Sequence, residues 1–181
     1  MTSFPWRLRT CTTRKPFLDN LYAVENSILI RPMDVADVPA VAELDRESFS
    51  LPWTEKSFTY EITQNQLSIP LVAETDAAEG KAIAGFIVVW LIVDEAHIGT
   101  IAVAEPYRQK GIAEGLIAAA FAQARLGGAI QAYLEVRAGN RAARRLYQKL
   151  GFVTDGIRKG YYQDNHEDAV LMSLSDLSKY G

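Results

Sequence analysis

The 181-residue sequence predicts an α/β fold, a mixed, mostly antiparallel central sheet flanked by helices on both faces, and three observations carry that expectation. Residues 82–93 and 96–103 are long β-rich runs separated only by Asp94-Glu95, which reads as a tight antiparallel hairpin. The second half alternates strand-like and helix-like segments, with Gly127-Gly128 and Gly151 closing the helical ones. Length, with 49% apolar and 23% charged residues, fits one globular domain with short tails and excludes disorder throughout.

In chain order, residues 28–31 are a short extended run. Asp34 then precedes Val38, Val41, Leu44 and Phe49, spaced as one face of an amphipathic helix. Pro52-Trp53-Thr54 breaks that pattern, and Thr54 can cap a second helix reaching Glu61. Residues 69–74 are extended, and 76–81 form a polar turn before the hairpin. A helix over about 111–126 places Ile112, Leu116, Ala119, Ala120 and Ala124 on one face. Residues 130–136 read as a strand. Asn140 then caps a helix whose stripe is Ala143, Leu146, Tyr147 and Leu150. Residues 152–157 and 169–174 read as a closing strand pair around the polar loop 163–168. The expected organisation is an N-terminal extension over 1–27, a domain over 28–175 and a C-terminal tail over 176–181.

The net charge of −3 argues against a nucleic-acid binder. After residue 27 there are 15 basic and 20 acidic residues, so the body carries −5 and would attract a basic partner. Cys11 is the sole cysteine, so the fold needs no oxidising compartment. The apolar run 83–93 is far short of the ~20 residues of a membrane helix. No membrane partner and a cytoplasmic location are therefore expected. The Arg-rich, Ser/Thr-rich and acid-poor start, residues 1–15, keeps an organelle transit segment as the alternative. His97 and His166 are too few and too isolated to argue for a metal site.

The most informative stretch, Ile101-Ala102-Val103-Ala104-Glu105-Pro106-Tyr107-Arg108-Gln109-Lys110-Gly111-Ile112-Ala113, runs from a strand through a loop into a helix. Unpaired amides and the positive end of the helix dipole, with small residues at Gly111 and Ala113, make a cradle for a pyrophosphate. Arg108 and Lys110 add charge, although a plain helix entry with a capping glycine explains the same residues. Neither a dinucleotide-binding glycine pattern nor an NTPase loop is present. Along the strand over 130–136, alternation puts Tyr133, Glu135 and Arg137 opposite Ala132, Leu134 and Val136. Taken singly, Glu135 reads as part of a solvated strand face and Tyr147 as core. Arg137, Arg141, Arg144, Arg145 and Lys149 form a basic stretch without an acid, open to nucleotide phosphates or to solvent.

Over about residues 28–174 the sequence resembles the GNAT acetyltransferases, and within them the RimI-type ribosomal-protein alanine N-acetyltransferases. The superfamily motif [QR]-x-x-G-x-[GA] stands as Arg108-Gln109-Lys110-Gly111-Ile112-Ala113. The closer branch is carried by Phe49-Ser50-Leu51-Pro52-Trp53-Thr54-Glu55-Lys56-Ser57-Phe58, Ile98-Gly99-Thr100-Ile101-Ala102-Val103, and Leu134-Glu135-Val136-Arg137-Ala138-Gly139-Asn140. Leu146-Tyr147, Leu150-Gly151-Phe152, Tyr161-Tyr162 and Glu167-Asp168-Ala169 add to it.

The resemblance implies a GNAT fold and transfer of an acetyl group from acetyl-CoA to a protein's N-terminal α-amine, with an alanine-first ribosomal protein as partner. It implies Glu135 as proton acceptor and Tyr147 as proton donor. It places acetyl-CoA contacts at Ile101, Ala102, Val103, Arg108, Gln109, Lys110, Gly111, Ile112, Ala113, Glu114, Asn140 and Tyr147. Leu51, Trp53 and Tyr161 are candidates for the pocket of the acceptor's first residue. Ala113 replaces the second glycine of many members, and the extension over 1–27 departs from the family.

The chemistry is consistent with these roles. An α-amine, with a pKa near ~7.7 to 8, is partly neutral already, and a carboxylate can take its remaining proton. Transfer of a tyrosine proton, near pKa ~10, to a departing thiolate whose thiol lies near ~8.5 is downhill only if the tyrosine pKa is lowered locally, with hydrogen bonding alone as the weaker alternative. A backbone N–H near Val103 would polarise the carbonyl if the strand splays there. With Cys11 in the tail, direct attack in a ternary complex is expected rather than an acetyl-cysteine intermediate. The competing readings are a GNAT enzyme acting on lysine or a small amine, and a silent acyl-CoA-binding module. Glu135 and Tyr147 together argue against the silent module, which needs neither.

Overall fold

The run of residues 82–93 has apolar side chains at nearly every position, the pattern of a strand buried on both faces. In the computed structural model, which describes residues 22–24, 28–77 and 80–180, that run lies within β4 at the middle of the sheet. The strands are β1 (Tyr22–Val24), β2 (Ile28–Pro32), β3 (Ser68–Ala77), β4 (Gly80–Ile92), β5 (Glu95–Val103), β6 (Gln131–Arg137), β7 (Val153–Arg158) and β8 (Ala169–Leu174). They form one sheet in the order β1-β2-β3-β4-β5-β6-β8-β7. Among the described residues β5–β6 is the one parallel pair, as expected of a mixed, mostly antiparallel sheet.

The helices are α1 (Val38–Ser48), α2 (Glu55–Thr63), α3 (Ile112–Leu126) and α4 (Arg141–Lys149). Side chains of β4 alternate between two cores. Phe86 and Val88 pack with Val41, Leu44 and Phe58 from α1 and α2. Ile87 and Val89 pack with Leu116, Ile117, Ala120 and Phe121 from α3 and with Tyr147 from α4. Helices therefore cover both faces.

Boundaries differ from expectation in several places, each for a local reason. The hairpin turn is Val93-Asp94, one residue early, because Glu95 is held in the sheet opposite both Ile92 and Gln131. Asp34 caps the short 3-10 turn Val35–Asp37 rather than α1, accepting from the Ala36 N–H at 3.0 Å. Phe49 lies past α1 in extended backbone. The sheet begins inside the expected extension, since β1 pairs with β2 from Tyr22 to Val24. The expected tail is docked: Leu177 is fully buried, and the Tyr180 ring meets Phe121 edge-on at 5.2 Å. The rest of the extension, with Cys11 and the transit-segment alternative, lies outside the described residues.

Candidate functional site

The site begins with a parting of two strands. β5 pairs with β6 only from Glu95↔Gln131 to Ile98↔Leu134, and beyond that point the strands diverge. β5 stays on β4 through Val103, while β6 stays on β8 through Arg137. A bulge at Gly99 marks the parting, where Val88 and Val89 face Thr100 and Ile98. A Cβ on Gly99 would fall 2.9 Å from the Trp90 ring, so this close approach requires glycine. A cavity of about 660 Å³ opens between the strands, lined by residues of β5, β6, α4 and the segment after α1.

Main-chain groups face this gap. The Ala104 N–H donates to Ala84 O at 2.9 Å, so by antiparallel alternation the N–H groups of Val103 and Ile101 point away from β4, toward β6. The Arg108 Nε–H donates to Val103 O at 3.0 Å and holds that guanidinium at the strand end. The N-cap of α3 is Gly111, whose φ of +78° is left-handed and which has no side chain to cap the first turn. Its first amides, Ile112 to Glu114, are thus free for an anion, and Ala113 lines the cavity. Lys110 lies over the Tyr107 ring at 5.4 Å. Glu114, an acid in the same turn, is paired with Lys149 at 2.7 Å. An open, uncapped helix entry beside the cavity, with Arg108 and Lys110 close by, fits the phosphates of a nucleotide.

Glu135, Asn140 and Tyr147 also line the cavity. Glu135 projects from β6 opposite the buried Leu134 and Val136 and has Arg158 at 3.4 Å. Asn140 is an N-cap, its Oδ1 accepting from the Ala143 N–H at 3.0 Å. Tyr147 is 5% exposed; burial, with Tyr162 adding, raises its phenol above the ordinary value. Desolvation favours the neutral phenol, so Tyr147 presents a proton to the cavity, and the direction of the shift supports hydrogen bonding over downhill transfer.

Leu51 and Trp53 line the other end of the cavity, whereas Tyr161 does not. Tyr161 is 41% exposed beside Arg158, and its neighbour Tyr162 takes the lining position. Burial is the main cause that raises the Tyr162 pKa, against the pull of Arg137. Ile101, Ala102, Val103 and Arg108 line the cavity; Gln109, Lys110, Gly111 and Glu114 sit at the helix entry beyond it, and Ile112 turns its side chain into the core. Sequence reasoning missed Asp45, Ser50, Thr100 and Tyr162, all cavity-lining. Asp45 is 1% exposed and accepts from the Trp53 N–H at 2.6 Å and the Thr100 hydroxyl at 3.4 Å. An aspartate on an otherwise apolar helix stripe was the available signal. Arg137, placed in the basic stretch, is in fact paired with Asp164 at 2.9 Å and Glu167 at 3.3 Å, acids from a distant loop.

The GNAT acetyltransferase family profile matches residues 38–152, the span holding every one of these elements except β7 and the β7–β8 loop. The chain belongs to the GNAT acetyltransferase family and is an N-acetyltransferase. Within that family, a Bacillus subtilis protein is 38% identical over 143 residues, 79% of this chain and 92% of its own length. The [Ribosomal protein bS18]-alanine N-acetyltransferase of Escherichia coli is 33% identical over 147 residues, 80% of this chain and 95% of its own. The crystal structure of the ribosomal-protein-S18-alanine N-acetyltransferase from Escherichia coli superimposes with a TM-score of 0.70 at 31% identity, covering 81% of this chain and 92% of that one.

Proposed function

We propose that this N-acetyltransferase uses acetyl-CoA to acetylate the α-amine of a protein whose first residue is alanine, the chemistry named for its bS18-modifying relatives. The observation that carries the reading is a single cleft joining an uncapped helix entry, two inward main-chain N–H groups, a carboxylate and a buried phenol. Acetyl-CoA, when bound, supplies an activated thioester carbonyl.

The first-turn amides of α3, with Arg108 and Lys110, hold the donor's phosphates. The N–H groups of Val103 and Ile101 polarise the carbonyl, an oxyanion-type contribution of a few kcal/mol. Glu135 accepts the proton of the incoming ammonium, directly or through one water, and the freed amine attacks the carbonyl carbon. As the C–N bond forms the C–S bond breaks, CoA leaves as its thiolate, and the second proton shed by the nitrogen passes to that sulfur or to solvent water. Tyr147 keeps its proton, because burial disfavours the phenolate, and donates a hydrogen bond to the sulfur as charge develops there. Leu51, Trp53 and Tyr162 enclose the first side chain of the acceptor. We place the reaction in the cytoplasm; among the described residues no helix is long and apolar enough to cross a membrane. Residues 1–21 we treat as an extension ahead of the catalytic domain, which begins at β1 and closes with the docked segment after β8.

The reading is tested by incubating the protein with acetyl-CoA and an alanine-first basic peptide, then locating the acetyl group by mass spectrometry. Acetylation of the α-amine, faster than for a phenylalanine-first peptide, is expected. Modification mainly on internal lysines, or equal rates for the two peptides, would sink the α-amine assignment.

A further inference from the structure

Arg137 closes β6 and reaches sideways into two loops that are far apart in sequence. Its Nη2 donates to Ser50 Oγ at 3.1 Å and to the Asp164 carboxylate at 3.0 and 2.9 Å. Its Nη1 donates to Asn165 Oδ1 at 3.1 Å and Glu167 Oε2 at 3.3 Å. The flat face of the guanidinium covers the Tyr162 ring at 3.9 Å. The Ser50 hydroxyl donates to Asp164 in turn, and the Gly139 N–H donates to the other Glu167 oxygen at 2.6 Å. One side chain therefore ties the segment after α1, the loop between β7 and β8, and the end of β6 together.

The knot lies at one end of the cavity. Ser50, Arg137 and Tyr162 line it, next to Leu51 and Trp53. None of Arg137's contacts is with residues 101–103 of β5 or with the entry of α3, from which the parting of β5 and β6 separates it. A guanidinium already engaged by two carboxylates has little charge left to offer a phosphate, which argues against a role in donor binding.

We propose that Arg137 is a positioning residue that clasps the two loops over the acceptor end of the cleft, and through Ser50 and Tyr162 sets how tightly and how selectively a chain end is held there. The proposal rests on the acetyltransferase reading above. Its chemistry is specific to arginine: only a planar fork can pair with Asp164 and Glu167 together while stacking on Tyr162. A lysine is a single point charge without that geometry.

The test combines kinetics with hydrogen exchange on the full chain. In Arg137→Ala the KM for an alanine-first peptide should rise about tenfold, equal to ~1.4 kcal/mol, and the preference over a phenylalanine-first peptide should narrow. kcat and the KM for acetyl-CoA should stay within about twofold of wild type. Arg137→Lys should resemble the alanine variant. Ser50→Ala, which leaves the arginine–carboxylate pairs intact, should shift the same parameters less. Exchange in residues 49–53 and 159–168 should quicken together in Arg137→Ala, with no substrate present. Unchanged peptide KM and selectivity, an equal loss on the acetyl-CoA side, rescue by lysine, or faster exchange in only one loop would each overturn the clasp. If the wild-type chain acetylates no peptide, the acetyltransferase reading fails and the exchange result alone decides the clasp.

Discussion

At one end of the cleft the lining is main chain: the gap-facing N–H groups of Ile101 and Val103 and the uncapped first turn of α3 behind Gly111. At the other end it is side chains, Ser50, Leu51, Trp53, Arg137 and Tyr162, delivered from three separate parts of the chain. A backbone site recognises what every donor of one class has in common, phosphates and a carbonyl, and tolerates most side-chain changes nearby. A side-chain site recognises one acceptor among many and changes with each substitution. Glu135 and Tyr147 stand between the two, on β6 and α4. Substitutions at the two ends should therefore separate in kinetics, and those in the middle should strike turnover itself.

The largest effect is expected in the middle. Glu135→Gln removes the proposed proton acceptor while keeping the side chain's size, and turnover should fall by roughly 10²–10⁴-fold. The loss should be greatest at low pH, where more of the acceptor amine is protonated. Parallel pH–rate profiles for variant and wild type would exclude Glu135 as the base. Tyr147→Phe should lower turnover by about tenfold to a hundredfold through a lost hydrogen bond to the leaving sulfur. Because the Tyr147 pKa is raised in the folded protein, the phenol's contribution is complete below the ordinary tyrosine value near ~10 and is lost only as pH rises toward the higher native one. The profile of the variant should accordingly keep the wild-type shape between about pH 7 and 9. An alkaline limb that vanishes in Tyr147→Phe would show instead that this phenol ionises in the working range.

Next comes the donor end. A Cβ on Gly111 meets nothing within 4 Å, so Gly111→Val does not crowd the fold. It does place a β-branched residue at φ +78°, a strain of roughly 1–2 kcal/mol that should tilt the loop amides. Acetyl-CoA affinity measured by calorimetry should fall about tenfold, with the acceptor peptide's KM unchanged. Unchanged affinity would remove the anion cradle from α3. A matching rise in acceptor KM would show that the two ends are not independent.

That same division decides what could be read before any coordinates. The geometry that we propose as the donor end was legible because a backbone site leaves a local sequence mark: a strand, a loop with Gly111, and a helix entry, all within residues 101–114. The central sheet was legible for a similar reason, since the strand periods and turn residues are local. The acceptor end was not, because Ser50, Arg137 and Asp164 meet across 87 and 27 positions of sequence. No local pattern distinguishes Tyr162 from Tyr161; the choice is made by the loop, whose Tyr162 N–H donates to Glu167 O at 3.1 Å and whose Tyr162 ring lies under Arg137. Ends of the domain failed for another reason. Leu177 and Tyr180 are too few to show a periodicity, yet they fill the edge of the core beside α3.

The smallest effect is expected at Asp45, which supports the acceptor end from beneath. Its carboxylate holds the Trp53 N–H and the Thr100 hydroxyl, linking the segment after α1 to β5 just past the Gly99 bulge. Burial raises its pKa against the pull of those two donors. A carboxyl whose folded pKa is raised contributes its stability at pH below the ordinary value and loses it as pH rises through the native one, so the ionised group at neutral pH is a cost. Asp45→Asn keeps an oxygen for the Trp53 N–H and removes that cost; its stability at neutral pH should lie within about 1 kcal/mol of wild type. Asp45→Ala strands the Trp53 N–H and should cost ~1–3 kcal/mol. Urea midpoints over a series from about pH 8 down to the ordinary aspartate value near ~3.9 separate the two causes: wild type should gain on Asp45→Asn as pH falls through the native pKa toward that value. A gain in the opposite direction would mean that the hydrogen bonds from Trp53 and Thr100 outweigh burial, and that the support beneath the acceptor end is strongest with Asp45 charged.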